Sequence, residues 1–490
     1  MASAFMGHSG QVMPGDTIYM MAGTYRSAPL GGIFDPMYGS QTVVMSGTAN
    51  APITIRPYPG AHVRIDGGID RGYNSTVSWV PCLECNYVII RDLEMWSTEW
   101  AQPISSSQSG PWPTDIPSSH GGGCAGRQST LGGNKVINCV IHNAFGGLDS
   151  WMEETNFEGY GNIIYKIGWT APDRGHGHCV YTQNGSASKI YSNNILKNQY
   201  DGTLCMQAYG SGQATIDHYR MEQNISQPGG NFAGDFLVGG GGYSDDNHLI
   251  GNINYGNAMW AGYVFSTSNG TYEVRDNYVV NNNINFWRLT GLTQSNNTVV
   301  NGVTNLYPYP PGPPWADVTV TQGITPPSQP TVFVLPNKYD STRGHLVIFR
   351  WNTASSVLVD FKGLVPAGTS FKLMNPFDFY GTPVFTGTAD ASGHATIPTP
   401  VLYNAFVVLV RQNLPPTANA GADQSIMLPC TAALSGAVSD DGQPAPPATC
   451  SAAWSQVSGA GAVSFANPAA AATTATFSTP GTYVLRLNGQ

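Results

Sequence analysis

The chain has 490 residues, of which only 10% are charged, while 58 are glycine and 11% are aromatic. A formal charge of −9 with only 21 lysines plus arginines excludes a nucleic-acid partner, whose phosphates call for clustered basic side chains. There is no run of about 18 apolar residues, so no membrane-spanning helix is expected, and text rich in hydroxyls and amides reads as all-β. In chain order, the first strands are expected around residues 51–68 (APITIRPYPG, AHVRIDGG) and 87–96 (YVIIRDLEMW).

From residue 134 a short strand centred on Asn recurs seven times, at Asn138, Asn162, Asn194, Asn224, Asn252, Asn277 and Asn297. The spacings of 24, 32, 30, 28, 25 and 20 residues are those of a solenoid. Asn suits such a coil because it tolerates left-handed backbone angles and its amides stack from one rung to the next. Between the Asn strands lie GGLDSW, HCVYTQN, TLCMQAYG, GDFLVGGGG, GYVFSTS and NFWRLTG, read as a second sheet of the same coil. The coil is expected to reach about Val303, within a domain of residues 1–325.

A Pro-rich stretch at 307–329 breaks the pattern. Alternating strands at 331–412 then predict a small β-sandwich, and 415–490 predict another, with a buried Trp454. Of the eight cysteines, Cys139, Cys179 and Cys205 lie in apolar strand text and read as core thiols, whereas Cys430 and Cys450 read as a disulfide of an oxidising compartment. The segment Met1–Gly10 lacks a signal-peptide pattern; an extracellular or cell-surface location and a monomer are expected.

PGDTIYMMAGTYR (14–26), APITIRPYPG and the Asn rungs resemble right-handed parallel β-helix proteins of the pectate-lyase-like superfamily over about three hundred residues. The resemblance implies an all-β, right-handed parallel β-helix with two small C-terminal β-sandwich domains. It implies a polysaccharide lyase, glycoside hydrolase, epimerase, tailspike or related protein, and fold alone does not choose among these. Residues 331–412 resemble the accessory sandwich that follows such helices. Residues 415–490 resemble a PKD-type immunoglobulin-like module whose usual final strand is expected to be cut off.

Two loop regions are candidates for function, 97–133 (with Trp100, Trp112 and His120) and 168–185. The second ranks first, because it concentrates Asp173, Arg174, His176, His178, Tyr181 and Gln183 beside Gly175 and Gly177. Period-two alternation turns Val180 and Thr182 inward and Tyr181 and Gln183 outward. Neighbouring rungs then add Asp149 and Trp151, Gln207 and Tyr209, and Asp235, a mixture of aromatics, amides and carboxylates suited to sugars. For hydrolysis, the acid and base are sought among Asp149, Glu153, Glu154, Glu158 and Asp173; for β-elimination, base and cation among His176, His178, Tyr181 and Arg174. The shortage of Lys and Arg tilts the reading toward hydrolysis, with a non-catalytic glycan-binding, adhesive or tailspike-like protein as the alternative.

Gly175-His176-Gly177 matches a triplet of polygalacturonase-type hydrolases. The paired aspartates that should precede it are represented only by Asp245 and Asp246, which follow it, and no Arg-Ile-Lys lies downstream, so that mechanism is not transferred. Asp245 and Asp246 read better as a turn. No cofactor is required; calcium stays open. His176 with His178, or Cys82 and Cys85 with His120 and Cys124, are weak metal candidates, set against loop hydrogen bonding and buried thiols or a local disulfide.

Overall fold

A computed structural model describes residues 12–26, 46–66, 86–96, 131–144, 146–150, 152, 154–167, 169–170, 175–185, 187–198, 204–210, 214–228, 235–240, 243–263, 268–308, 319–411, 416–440 and 450–489. Short parallel strands stack into three sheets. The first runs from Thr17–Met20 to Leu289–Ser295, the second from Gly23–Arg26 to Thr298–Val300, and the third from Leu148–Ser150 to Val303–Tyr307, where the antiparallel strand Thr319–Gln322 follows. This is a parallel β-helix followed by small antiparallel sheets. Among the described residues, no helix is long and apolar enough to cross a membrane.

Each Asn strand is in fact two strands, one in the first sheet and one in the second, joined by a two-residue turn such as Asn193-Asn194 between Lys189–Ser192 and Ile195–Asn198. The first turn residue takes a left-handed conformation at Asn138, Gly161, Asn193, Gln223, Gly251, Asp276 and Asn296. The second turn residue carries the ladder: Asn162, Asn194, Asn224, Asn252, Asn277 and Asn297. Each of the last five accepts, at Oδ1, the backbone N–H and the side-chain Nδ2–H of the preceding ladder asparagine at 2.9–3.2 Å. Asn138 does not belong to this ladder. Its rung contributes Cys139, whose N–H donates to Asn162 Oδ1 at 2.9 Å.

Inside the coil, in-register columns of apolar side chains fill the core. Val180, Met206, Phe236, Met259 and Ile284 of the third sheet form one such column, all 0% exposed. Each contributes about 1.5–3 kcal/mol of burial, supplied by neighbouring rungs rather than by its own strand. One predicted strand moves: between Asn252 and Asn277 the third-sheet strand is Met259–Ala261, not the GYVFSTS segment after it. Met259 and Ala261 supply the inward pair that the period of two demands.

The described chain separates into a unit of residues 1–328 and one of 329–490. In the second, a five-stranded antiparallel sheet and the pair Ser356–Asp360 with His394–Pro398 enclose Leu346, Ile348, Phe361, Phe371 and Leu373. Further on, Trp454 packs with Leu434, Ala475 and Leu487, and its indole N–H reaches Ala471 O at 3.0 Å. Cys430 and Cys450 are exposed and unbridged, contrary to the disulfide expected; each leads into a strand of a different sheet, Ala432–Ser435 and Ala452–Gly459.

Candidate functional site

The third sheet positions the candidate site. In Val180–Thr182, Val180 and Thr182 are 0% exposed and Tyr181 is half-buried, so the alternation read from the sequence holds. Tyr181 pairs in register with Asp149 on one side and with Gln207 on the other, and Gln207 with Leu237, Leu237 with Trp260, and Trp260 with Asn285. One column turned away from the core thus runs Tyr181, Gln207, Leu237, Trp260, Asn285, with Leu237 and Asn285 themselves buried. Beside it, Gln183 Nε2 donates to Tyr181 Oη at 3.2 Å, and His178 stacks on Tyr181 with ring centroids 5.5 Å apart. His178 Nδ1 lies 3.1 Å from Leu204 O; a carbonyl only accepts, so this nitrogen carries the proton.

Two rungs on, Asp235 Oδ2 accepts the indole N–H of Trp260 at 2.9 Å, and Oδ1 the backbone N–H of Ala258 at 3.3 Å. Burial pushes the Asp235 carboxyl above the ordinary carboxylate range, against the pull of those two donors. Tyr209 and Tyr263 meet edge to face at 5.6 Å. The Tyr263 hydroxyl is pushed up by burial, and further by Tyr209 and Asp235. Carboxyl, indole, two phenols and amides therefore occur together on successive rungs of one face.

Other predicted residues lie elsewhere. Glu154 is fully buried at the corner between the third and first sheets, where it accepts both contacts of the Asn134 amide at 3.1 and 3.2 Å. Burial raises its carboxyl to about 7, opposed by Asn134 and by Lys189. Lys189, also 0% exposed, donates to Ser150 Oγ and to Gln183 O, each at 2.6 Å, which ties the ends of two third-sheet strands to the first sheet. Glu158 sits in the first sheet, its carboxylate 3.0 Å from Lys135 Nζ. The structure brings neither glutamate to the outward face of the third sheet.

Asp173, Arg174, Trp151 and Glu153 lie outside the described residues, as do Trp100, Trp112, His120, Cys82, Cys85 and Cys124. His176 and Asp149 are placed by their backbones alone, His176 in a two-stranded pairing of Trp169–Thr170 with Gly175–His176. Asp245 and Asp246 shape a turn: Asp246 has φ 51°, and Asp245 Oδ1 accepts from Thr271 N and Oγ1 at 2.6 and 2.8 Å. No cluster of three His, Cys, Asp or Glu side chains is arranged to hold a metal ion among the described residues. Sequence reasoning missed Trp260 and Tyr263. A constant step of seven from the ladder asparagine, Asn252 to Met259 and Asn277 to Ile284, is the signal that locates that rung.

Residues 420–490 match a family model that describes a PKD domain. No curated protein matches the chain. Among solved structures, the chain is similar to a mannuronic acid specific polysaccharide family 6 lyase from human gut microbiota, at 13% identity over 64% of this chain and 75% of that one, with TM-score 0.39. It is also similar to the pectate lyase Pel9A, at 13% identity over 60% and 72% with TM-score 0.34. A third likeness is to a tailspike protein of E. coli bacteriophage HK620, at 11% identity over 83% and 76% with TM-score 0.26.

Proposed function

We propose that the protein is carbohydrate-active, binding a polysaccharide along the outward face of the third sheet and cleaving it by hydrolysis ahead of β-elimination. The observation that carries this reading is Asp235, whose Oδ2 accepts from Trp260 near the Tyr209–Tyr263 pair, on the rung after that of Gln207. Aromatic rings stack on the apolar faces of sugars, and amides and carboxyls pair with hydroxyls. Burial that raises the Asp235 pKa widens the pH range over which the carboxyl carries a proton that it can donate to a leaving oxygen. Elimination instead needs a cation against the developing negative charge, and the described strands of the third sheet carry neither Lys nor Arg.

Asp149 is not the partner of Asp235. Its strand is three steps away, about 14 Å at the ordinary strand spacing, beyond the reach of a carboxyl pair that shares one glycosidic bond. Incubation with neutral and uronate polysaccharides is expected to release reducing ends without the absorbance of unsaturated products, and Asp235→Asn is expected to slow release about 100-fold. Unsaturated products with unchanged turnover in that variant would sink the hydrolytic reading. The alternative, a glycan-binding or adhesive protein, is favoured by the single carboxylate whose side chain is described on this face; binding without cleavage across the panel would establish it.

A further inference from the structure

Cys179 and Cys205 occupy equivalent places on neighbouring rungs, each one residue before a third-sheet strand. Their backbones belong to one ladder, with Leu148 N–H donating to Cys179 O at 2.8 Å, Val180 N–H to Cys205 O at 3.1 Å and Cys205 N–H to Asp235 O at 3.1 Å. Both side chains are 0% exposed and unbridged in the structure, as expected of the core thiols read from the sequence, and their sulfurs lie 3.9 Å apart. In-register strand neighbours stand about 4.8 Å apart, inside the Cα range that a disulfide spans, and closing the bond needs the sulfurs to approach by about 2 Å. We infer that Cys179 and Cys205 form a disulfide that staples two rungs beneath the candidate glycan face.

The chemistry is thiol–disulfide exchange with a small-molecule disulfide such as oxidised glutathione. Cys179 and Cys205 each lose a proton and together two electrons, one S–S bond forms between them, and the reagent's S–S bond breaks to give two thiols. Burial pushes the Cys179 thiol well up and so keeps it protonated in the folded coil. Exchange therefore takes place before the coil closes or through local opening, and the finished bond is shielded from reductant. The staple closes a loop between residues 26 apart and fixes the rung of His178 and Tyr181 against that of Gln207 and Tyr209.

The test uses the full chain folded once with oxidised glutathione and once with excess thiol. Each preparation is alkylated in denaturant without reductant, digested and mapped by mass spectrometry. The glutathione preparation is expected to yield Cys179 and Cys205 as one cross-linked species that reductant separates, and to melt on the order of 5 °C above the thiol preparation. Cys205→Ala is expected to abolish that difference in melting. Recovery of both cysteines singly alkylated from the glutathione preparation, or linked to other cysteines, would overturn the inference, and the map of the unmutated chain decides the matter even if the variant does not fold.

Discussion

The turn between the first and second sheets and the outward face of the third sheet are built by the same rungs, but they use amide side chains in opposite ways. At the turn, Asn194, Asn224 and Asn252 are 0% exposed, and their amides bond to the ladder asparagines on either side and to the backbone. On the third sheet, Gln183 and Gln207 stand half-exposed among aromatics. The first arrangement consumes hydrogen-bonding capacity to hold rung on rung, and the second leaves it facing outward. Stability is thus concentrated at one corner of the coil and the proposed recognition on another face, which predicts that substitutions at the two places separate folding from binding.

The largest expected effect lies where the two regions are joined. Lys189→Met removes the cation beside buried Glu154 and the donor to Ser150 and Gln183, and is expected to lower the unfolding free energy by about 3–5 kcal/mol in urea titrations. Lys189→Met with Glu154→Gln should recover most of that loss. A double variant as unstable as the single one would show that the charge is not the cause. The pH dependence gives a second reading of the same pair. Folding raises the Glu154 carboxyl from 4.5 to about 7, so the folded chain holds this proton more tightly than the unfolded one. Stability from this group is greatest below the unfolded value and declines as pH rises from 4.5 to about 7, with no further change above. Urea midpoints across that window should lose this slope in Glu154→Gln.

Next comes the ladder itself. Asn224→Leu removes the side-chain hydrogen bonds to Asn194 N–H, Tyr191 O and Asn252 Oδ1 in a dry corner, at a cost of about 3 kcal/mol. Glycan binding by the folded fraction should be unchanged. A smaller effect is expected from Tyr209→Ala, which removes one ring of the Tyr209–Tyr263 pair: about a tenfold loss of polysaccharide affinity, with an unchanged melting temperature. If Tyr209→Ala alters melting as much as Asn224→Leu does, the division of labour between the two regions is wrong.

Much of this contrast was legible in the sequence, and the parts that were not have physical reasons. Recurrent Asn marked the turn, but it serves two adjacent positions, the left-handed residue at Asn138, Asn193 and Asn296 and the ladder at Asn162 and its successors. One residue type at two places blurred the register by one, and a turn of two residues carries Gly only at Gly161 and Gly251, too little punctuation to divide the first sheet from the second. On the third sheet, alternation of Tyr181 and Gln183 was enough to find the face, because a half-buried strand writes its two sides into a period of two. The Glu154–Lys189 corner leaves no such trace. Glu154 reads as a candidate catalytic carboxylate, and nothing links it to Lys189, 35 positions on, until the coil folds one against the other.

The smallest expected effect tests whether exposed charge matters at all on this molecule. Across the first sheet, His218 Nδ1 and His248 Nε2 both face Asp246, at 2.8 and 3.3 Å, and His248 Nδ1 faces Glu273 at 2.7 Å. Distances alone would rank this chain of contacts with the Asn ladder. Solvent decides otherwise: the side chains of His218 and Asp246 are 46% and 53% exposed, so water competes for both partners and salt screens them. Asp246→Asn, which retains a residue tolerant of the left-handed backbone at φ 51°, is therefore expected to change stability by no more than about 0.5 kcal/mol and to leave glycan affinity unaltered. A loss approaching that of Asn224→Leu would mean that this exposed row, and not only the buried amides, holds the rungs together.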